Sequence, residues 1–196
     1  MKKVSALLLV LGVFAGISDG ALAQHDLSAW FKVRDGKTTV IPWYVYGGDK
    51  IFVDARYNFD APDSVAIFVG KPIAIGSVQV IPAIGGIAGK YNGISAEVNV
   101  IGKLGPISYF TLNQYSLGVS GSSNFVYHWL DLLYPLGKHV MVGVDEQWYW
   151  QPGGKGELDV GPALKVKTSD GLYLKGWLAV TNTGSHKFFI GLGFAR

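Results

Sequence analysis

The chain has 196 residues, with 17 basic and 14 acidic side chains, a formal net charge of +3 at pH 7 and no cysteine. The basic residues form no run and no patch suited to phosphates, so we expect no nucleic-acid partner. The lack of cysteine excludes a disulfide-stapled fold and a thiolate metal site. Histidines and acids also lack ligand spacing, so we expect no metal and no cofactor.

The first 23 residues have the three-part pattern of a secretory signal peptide. Two lysines precede an apolar run at 4–17, and the small residues of Ala21-Leu22-Ala23 follow. The apolar run is shorter than the roughly 20 residues that a membrane-spanning helix needs. We therefore expect export with cleavage between Ala23 and Gln24, which leaves a single domain over 24–196.

Beyond Gln24 the chain consists of short segments rich in Val, Ile, Tyr, Phe and Trp, separated by turns rich in Gly, Pro, Asn and Asp. No segment there is apolar and uncharged over 18 residues, so we expect no transmembrane helix. Turns this short join antiparallel neighbours, which predicts a meander. The sequence predicts twelve strands, at about 27–34, 38–46, 50–59, 64–74, 77–87, 93–102, 106–117, 124–134, 138–150, 156–167, 172–181 and 186–195.

The segment KIFVDARYNFDAP at 50–62 shows the alternation of two faces most clearly. Ile51 and Val53 share one face, and Asp54 and Arg56 share the other. A twelve-stranded barrel has an interior wider than aliphatic side chains can fill, because barrel diameter grows with strand number. We therefore expect the apolar face to meet lipid and the polar face to line a lumen. The fold class that follows is all-β, a single closed antiparallel up-and-down transmembrane β-barrel of the outer-membrane type, with short turns on both sides.

The polar faces supply the side chains that we expect inside the barrel. Acids and bases can pair across a lumen, and Arg56 is the expected centre because a guanidinium can bind several carboxylates. Such a set acts either as a selectivity network for small solutes or as a plug. Its predicted members are Asp54, Arg56, Asn58, Glu97, Asn99, Asp131, Gln147, Asp159, Lys165 and Lys175, with Asn113, Tyr115 and Asp145 as further candidates.

Aromatic residues concentrate near the predicted strand ends, as in the girdles of membrane barrels. The alternative explanation is that Trp and Tyr favour strands in any protein. The predicted lipid-interface aromatics are Trp43, Tyr46, Tyr57, Phe59, Tyr134, Trp148, Trp150 and Phe188. The facing of the strands at 38–46, 106–117, 124–134 and 138–150 stays open, because both of their faces are mixed and a bulge could exchange them.

Several phrases of the chain occur together: Arg56-Tyr57-Asn58, then Pro82–Gly86 with Asn92-Gly93-Ile94 shortly after, and Tyr127–Leu132. With them the chain resembles a group of bacterial outer-membrane-type β-barrel proteins that carry signal peptides and have no assigned function. The resemblance covers about residues 50–195. It implies the barrel and a location in the bacterial outer membrane, but no substrate and no catalytic residue. The short turns at 135–138 and 151–156 and the two residues after Phe194 depart from the group's pattern.

These features favour a porin-like passive channel for small solutes, in contact with outer-membrane lipid and inserted by the barrel-assembly machinery. One alternative is a structural or interaction barrel whose lumen is closed by salt bridges. Another is a secreted soluble β-barrel that binds an apolar ligand inside. A lipid hydrolase using His128 with Ser122 or Ser123 is disfavoured, because no Gly-flanked serine lies on a sharp turn and no third group is evident. We therefore expect no enzyme.

Overall fold

The computed structural model describes residues 24–168 and 170–195, so the predicted signal peptide lies outside the described residues. The described residues form thirteen strands in one antiparallel sheet, namely β1 (Gln24–Arg34), β2 (Lys37–Gly47), β3 (Phe52–Tyr57), β4 (Ser64–Gly70), β5 (Ile73–Ile75), β6 (Val78–Gly89), β7 (Gly93–Leu104), β8 (Ile107–Gly118), β9 (Phe125–Pro135), β10 (Val140–Trp150), β11 (Glu157–Lys167), β12 (Leu172–Thr181) and β13 (His186–Ala195).

The sheet closes on itself, because β1 pairs with β13 and the other strands pair with their sequence neighbours, except that β4 pairs with β6 and not with β5. β4 and β5 are two parts of one barrel position, since both pair with β6 and only Lys71 and Pro72 separate them. Pro72 has no N–H to donate to a ladder, which explains a break at this point. The prediction of a closed, twelve-stranded antiparallel barrel is therefore confirmed. Within 24–168 and 170–195, no helix is long and apolar enough to cross a membrane.

Side chains alternate between the two faces of the barrel wall. Glu97 is 1% exposed, whereas the neighbouring Val98 is 39% exposed and Val160 on β11 is also 39% exposed. The aliphatic face therefore points outward and the ionic face points into the lumen, as the segment at 50–62 predicted. This orientation is opposite to that of a soluble barrel with an apolar interior, which removes the support for the apolar-ligand alternative.

The connection between β3 and β4, residues 58–63, folds into the barrel. β3 was expected to continue to residue 59, but it ends at Tyr57 because Asn58 has a φ of 60°. The Asn58 side chain accepts a hydrogen bond from the Asp63 backbone N–H at 2.6 Å and donates one to the Val40 carbonyl at 3.1 Å. The Asn58 side chain is thus held by backbone groups at the end of the strand, and its place in the lumen stays a prediction.

Inward glycines let large rings lie flat against the wall. A Cβ at Gly191 would lie 2.6 Å from the Trp30 ring, and one at Gly193 would lie 2.4 Å from the Tyr173 ring. Both distances are too short for a side chain, so these positions need glycine. The two inward glycines therefore leave room for the rings of Trp30 and Tyr173 against the wall.

We call the barrel end that carries Gln24 and Ala195 the terminal end, and the opposite end, which carries residues 58–63, the loop end. The hairpin turn of Asp35 and Gly36 also lies at the loop end. Both residues have positive φ angles, 50° and 71°, as a two-residue type I′ turn requires.

Candidate functional site

The lumen of the barrel is the candidate site, and its centre is Arg56 on β3. The guanidinium contacts Asp54 at 3.2 Å, Asp60 at 3.1 Å and Glu97 at 2.6 Å, and the arginine side chain is 0% exposed. It also donates a hydrogen bond to Gln114 Oε1 at 2.7 Å. One cation therefore holds three carboxylates from β3, the 58–63 segment and β7. A guanidinium fits this role because its donors form a planar fork.

Further polar groups extend this network along the wall. Asn99 donates to the second oxygen of Glu97 at 2.6 Å, and Gln114 donates to Ser116 at 2.9 Å. The guanidinium also lies 4.7 Å from the ring centre of Phe59 and 4.6 Å from that of Phe68. The charge is thus enclosed between carboxylates and aromatic rings, which accounts for its complete burial.

Aromatic rings bridge the lumen from one wall to the opposite wall. β2 and β9 are six strands apart in either direction around the barrel, yet the ring centres of Trp43 and Trp129 are only 5.4 Å apart. Trp30 meets Trp129 edge-on at 5.8 Å, and Phe59 stacks on it at 5.9 Å. We call Trp30, Trp43, Phe59 and Trp129 the aromatic brace. At its level the lumen is occupied by side chains.

Two carboxylates orient the brace. Trp43 Nε1 donates to Asp54 Oδ1 at 2.8 Å, and Trp129 Nε1 donates to Asp145 Oδ1 at 2.7 Å. Lys175 on β12 in turn contacts Asp145 at 2.8 Å and Asp131 at 2.7 Å. The aromatic and ionic parts of the lumen are therefore one connected structure.

A second ionic cluster lies nearer the loop end. Lys187 on β13 contacts Asp159 at 2.5 Å and also contacts Glu157. Glu157 also forms an ion pair with Arg34 at 2.9 Å. Lys187 is 1% exposed, whereas the Arg34 side chain is 37% exposed. This cluster runs from the interior towards the rim of the barrel.

Two inward lysines contact aromatic rings instead of carboxylates. Lys165 Nζ lies 4.3 Å from the ring centre of Tyr173, and Lys32 Nζ lies 5.8 Å from that of Phe189. Both lysines are half-buried. Among the described residues neither has a carboxylate within ion-pair distance.

The charges in these contacts are divided between two sides of the lumen. The acidic side, from β3 to β10, contributes Asp54, Asp60, Glu97, Asp131 and Asp145 with Arg56. The basic side, from β11 through β13 to β1, contributes Lys32, Arg34, Lys165, Lys175 and Lys187 with Asp26, Glu157 and Asp159. A polar solute in this lumen would experience a transverse field.

Most predicted lumen residues lie inside the barrel. The inward-facing members are Asp54, Arg56, Glu97, Asn99, Asp131, Asp145, Gln147, Asp159, Lys165 and Lys175. The prediction that Asn113 and Tyr115 face the lumen is wrong, because both are exposed on the outer wall. The inward positions of β8 are Leu112, Gln114 and Ser116. The role of these residues in selectivity or closure stays a prediction.

Two predicted interface aromatics, Trp43 and Phe59, are corrected by the structure. Trp43 pairs directly with Arg56 across β2 and β3, so it shares the inward face of that arginine. Phe59 belongs to the segment that folds inward. The alternation places the remaining six on the outer wall: Tyr46, Tyr57, Tyr134, Trp148, Trp150 and Phe188. Tyr46 is buried there because its ring contacts His25, with centres 5.1 Å apart.

Sequence reasoning missed several lumen residues. The alternation places Asp60 on the polar face with Asp54 and Arg56, but the predicted strand ends at residue 59, so Asp60 falls in a turn and outside the predicted lumen set. Gln114 and Trp129 lie on strands with two mixed faces, so their facing could not be read. In β13, Lys187 lies on the face opposite to that of Phe188 and Ile190, and this alternation was sufficient to assign it to the lumen.

His128 does not take part in a serine-dependent site. Its Nδ1 lies 2.7 Å from Asn113 Oδ1 and its Nε2 lies 3.3 Å from Glu146 Oε2. Ser122 instead accepts a hydrogen bond from the Asn92 backbone N–H at 3.1 Å. In the part of the chain that the structure describes, no group of three or more His or acidic residues is arranged to hold a metal ion.

No protein-family model matches the chain, and no curated protein matches it in sequence. Solved structures match it in fold. The NanC porin has a TM-score of 0.66 at 10% identity, over 87% of this chain and 98% of that chain. The KdgM porin in complex with disordered oligogalacturonate has a TM-score of 0.63 at 6% identity, over 86% of this chain and 98% of that chain.

The chain has the fold of a porin barrel. Both similar porins are covered almost completely, so the likeness concerns the whole barrel and not a shared hairpin. The barrel type implied by the sequence resemblance is confirmed, whereas membership of a particular sequence group stays a prediction. Sequence identities this low carry the fold alone.

Proposed function

We propose that this protein is a narrow, porin-like passive channel of the bacterial outer membrane for small polar solutes, without enzymatic activity. The observation that carries the proposal is the inverted barrel: a closed wall with an aliphatic outer face encloses a lumen lined by acids on one side and bases on the other. In a membrane such a wall is stable, and its polar interior is the one route for water-soluble molecules.

Unpartnered polar atoms favour a hydrated path beside the brace. Among the described residues, Tyr127 Oη, Asp131 Oδ1 and Asp159 Oδ1 are buried and have no hydrogen-bond partner. Leaving such an atom dry costs about 1–3 kcal/mol. Water in the lumen removes that cost, so these atoms favour a wet interior over a dry plug.

The aromatic brace supports a second candidate, a structural barrel with a closed lumen. Trp43 and Trp129 meet across the full width of the barrel, and Phe59 from the 58–63 segment fills the space beside them. If side chains also fill the space beside this contact, solutes cannot pass. The two candidates therefore differ in one measurable property, the conductance of the folded protein.

Planar-bilayer recording with the wild-type protein and Trp129→Gln separates them. A glutamine keeps a donor for Asp145 but removes the ring that reaches Trp43. Trp148→Gln is the matched control, because it makes the same change on the outer wall of the adjacent strand. We expect small discrete openings for the wild type, a several-fold larger conductance for Trp129→Gln, and an unchanged conductance for Trp148→Gln.

The outcomes distinguish the candidates. Silence of a folded wild type, with conductance only in Trp129→Gln, would favour the structural barrel with a closed lumen. The outer-membrane location has its own test, cell fractionation with a gel that compares boiled and unboiled samples. Recovery in the soluble fraction, with one gel mobility before and after boiling, would contradict a membrane barrel.

A further inference from the structure

The outer wall carries one polar patch. On β8, β9 and β10 the side chains of Thr111, Asn113, His128 and Glu146 point outward, away from the strand ends. Elsewhere on the described strands, the interior outward positions hold aliphatic, aromatic, glycine or proline residues, such as Ile67, Ile84, Val160, Leu178 and Leu192. The four polar residues are contiguous, since three neighbouring strands contribute them. We call them the outer polar patch.

Hydrogen bonds connect the patch. Asn113 Nδ2 donates to Thr111 Oγ1 and to the Val98 carbonyl, each at 3.2 Å. The Asn113 oxygen therefore faces His128 Nδ1 and accepts from it at 2.7 Å. His128 Nε2 lies 3.3 Å from Glu146 Oε2, so the imidazole ring lies between the Asn113 amide and the Glu146 carboxylate.

Two groups of the patch keep unused hydrogen-bonding capacity. The Thr111 hydroxyl accepts from Asn113 but donates to no described residue, and Glu146 Oε1 accepts from none. Acyl chains can satisfy neither group, so exposure of both to hydrocarbon is unfavourable. The patch therefore needs a polar partner at this depth of the wall.

The charge of the patch indicates which partner fits. A lipid phosphate requires a free cation, and the one basic side chain of the patch, His128, already has its two ring nitrogens directed at Asn113 and Glu146. A second copy of the chain offers one hydroxyl donor and one carboxylate acceptor in return for the same pair. Such a surface is self-complementary, as a two-fold interface requires.

We infer that the outer polar patch is a homodimer interface, in which the Thr111 hydroxyl of each copy donates to Glu146 of the other. This inference rests on the membrane location given in the proposed function. Leu130 occupies the centre of the interface, because it pairs with Thr111 on β8 and with Glu146 on β10. Exposed apolar residues surround it, including Leu132, Val144 and Trp148.

The test uses the absence of cysteine in the chain. The variant Leu130→Cys places one thiol at the centre of the proposed interface, and Leu178→Cys on β12 places one on a wholly apolar part of the wall. Both proteins are oxidised in native membrane vesicles and compared on non-reducing gels. We expect a disulfide-linked dimer for Leu130→Cys and a monomer for Leu178→Cys.

The mass of the detergent-solubilised wild type is the second measurement. We expect a dimer, and a monomer for Asn113→Leu/His128→Leu/Glu146→Leu, which replaces three of the four patch residues, including the proposed acceptor Glu146, without changing the lumen. A monomeric wild type in detergent that also fails to cross-link in vesicles would overturn the inference. So would equal cross-linking at residues 130 and 178, or a monomer that retains lipid lost in the triple variant. None of these results depends on conductance, so failure of the channel proposal stays distinguishable.

Discussion

In the acidic side of the lumen one guanidinium contacts three carboxylates and is shielded from water, whereas in the basic side two half-buried lysines contact aromatic rings alone. In the first arrangement every guanidinium nitrogen of Arg56 donates a hydrogen bond to a side-chain oxygen. The second leaves two positive charges for water and ions. One lumen therefore contains two kinds of charge, those paired with carboxylates and those without a carboxylate partner.

The difference distinguishes charges whose removal destabilises the fold from charges whose removal does not. A buried ion network with good geometry contributes little net stability against an apolar core, but removal of one partner is costly because the others stay buried and unpaired. Charges without a partner behave in the opposite way. Their removal costs little, but it changes the potential that a permeating ion meets.

The largest effect is expected from Arg56→Met. The change leaves Asp54, Asp60 and Glu97 without their shared cation, so the barrel should lose about 3–5 kcal/mol of unfolding free energy. Urea titration, followed by the gel mobility of folded and unfolded bands, measures the loss. Lys187→Met is the comparison variant, and a smaller loss is expected because Glu157 keeps its ion pair with Arg34. Equal losses would show that the carboxylates around Arg56 depend on their cation no more than those around Lys187 do.

A smaller effect is expected from Lys32→Gln and Lys165→Gln. Neither lysine has a carboxylate partner, so each change should alter the unfolding free energy by about 0.5 kcal/mol or less. The reversal potential in a salt gradient should nevertheless shift towards cations, and by more in the double variant. Lys138→Gln, in the exposed turn between β9 and β10, is the control. No shift in the double variant would mean that ions do not pass the basic side.

The alternation of residues predicts the wall of this barrel but only part of its lumen. On β3 and β7, charged and aliphatic residues alternate so regularly that Arg56 and Glu97 could be assigned to one interior. On β8, an asparagine and a tyrosine on one face compete with a glutamine and a serine on the other, and polarity alone cannot choose between them. Pairing register resolves such cases, because Gln114 is opposite Glu97.

The aromatic brace was beyond sequence reasoning for a different reason. Phe59 and Asp60 enter the lumen because the chain turns inward after Asn58, and a positive φ angle at one residue is not encoded in a periodic pattern. The place of Trp43 in the brace depends on this segment, since its ring packs on Phe59 while its Nε1 donates a hydrogen bond to Asp54. Periodicity describes the strands, and the closure of a lumen depends on a turn.

The smallest effect is expected at the loop end, where Lys90 contacts Asp63 at 2.8 Å and the lysine side chain is 69% exposed. The hydrogen bond that Lys90 donates to the Asp63 carboxylate raises the pKa of Lys90 above its ordinary value of 10.5. A raised lysine pKa means that the contribution is fully present at neutral pH and is lost as the pH rises through the folded-state pKa. Exposed pairs of this kind contribute little and are screened by salt.

Lys90→Gln should therefore lower the thermal midpoint slightly at pH 7 in low salt, and the difference from wild type should disappear in 1 M salt or in alkali. Lys90→Arg, which keeps the charge, should match the wild type. A large loss in Lys90→Gln that persists in 1 M salt would mean that this exposed pair, and not the buried Arg56 network, fixes the 58–63 segment.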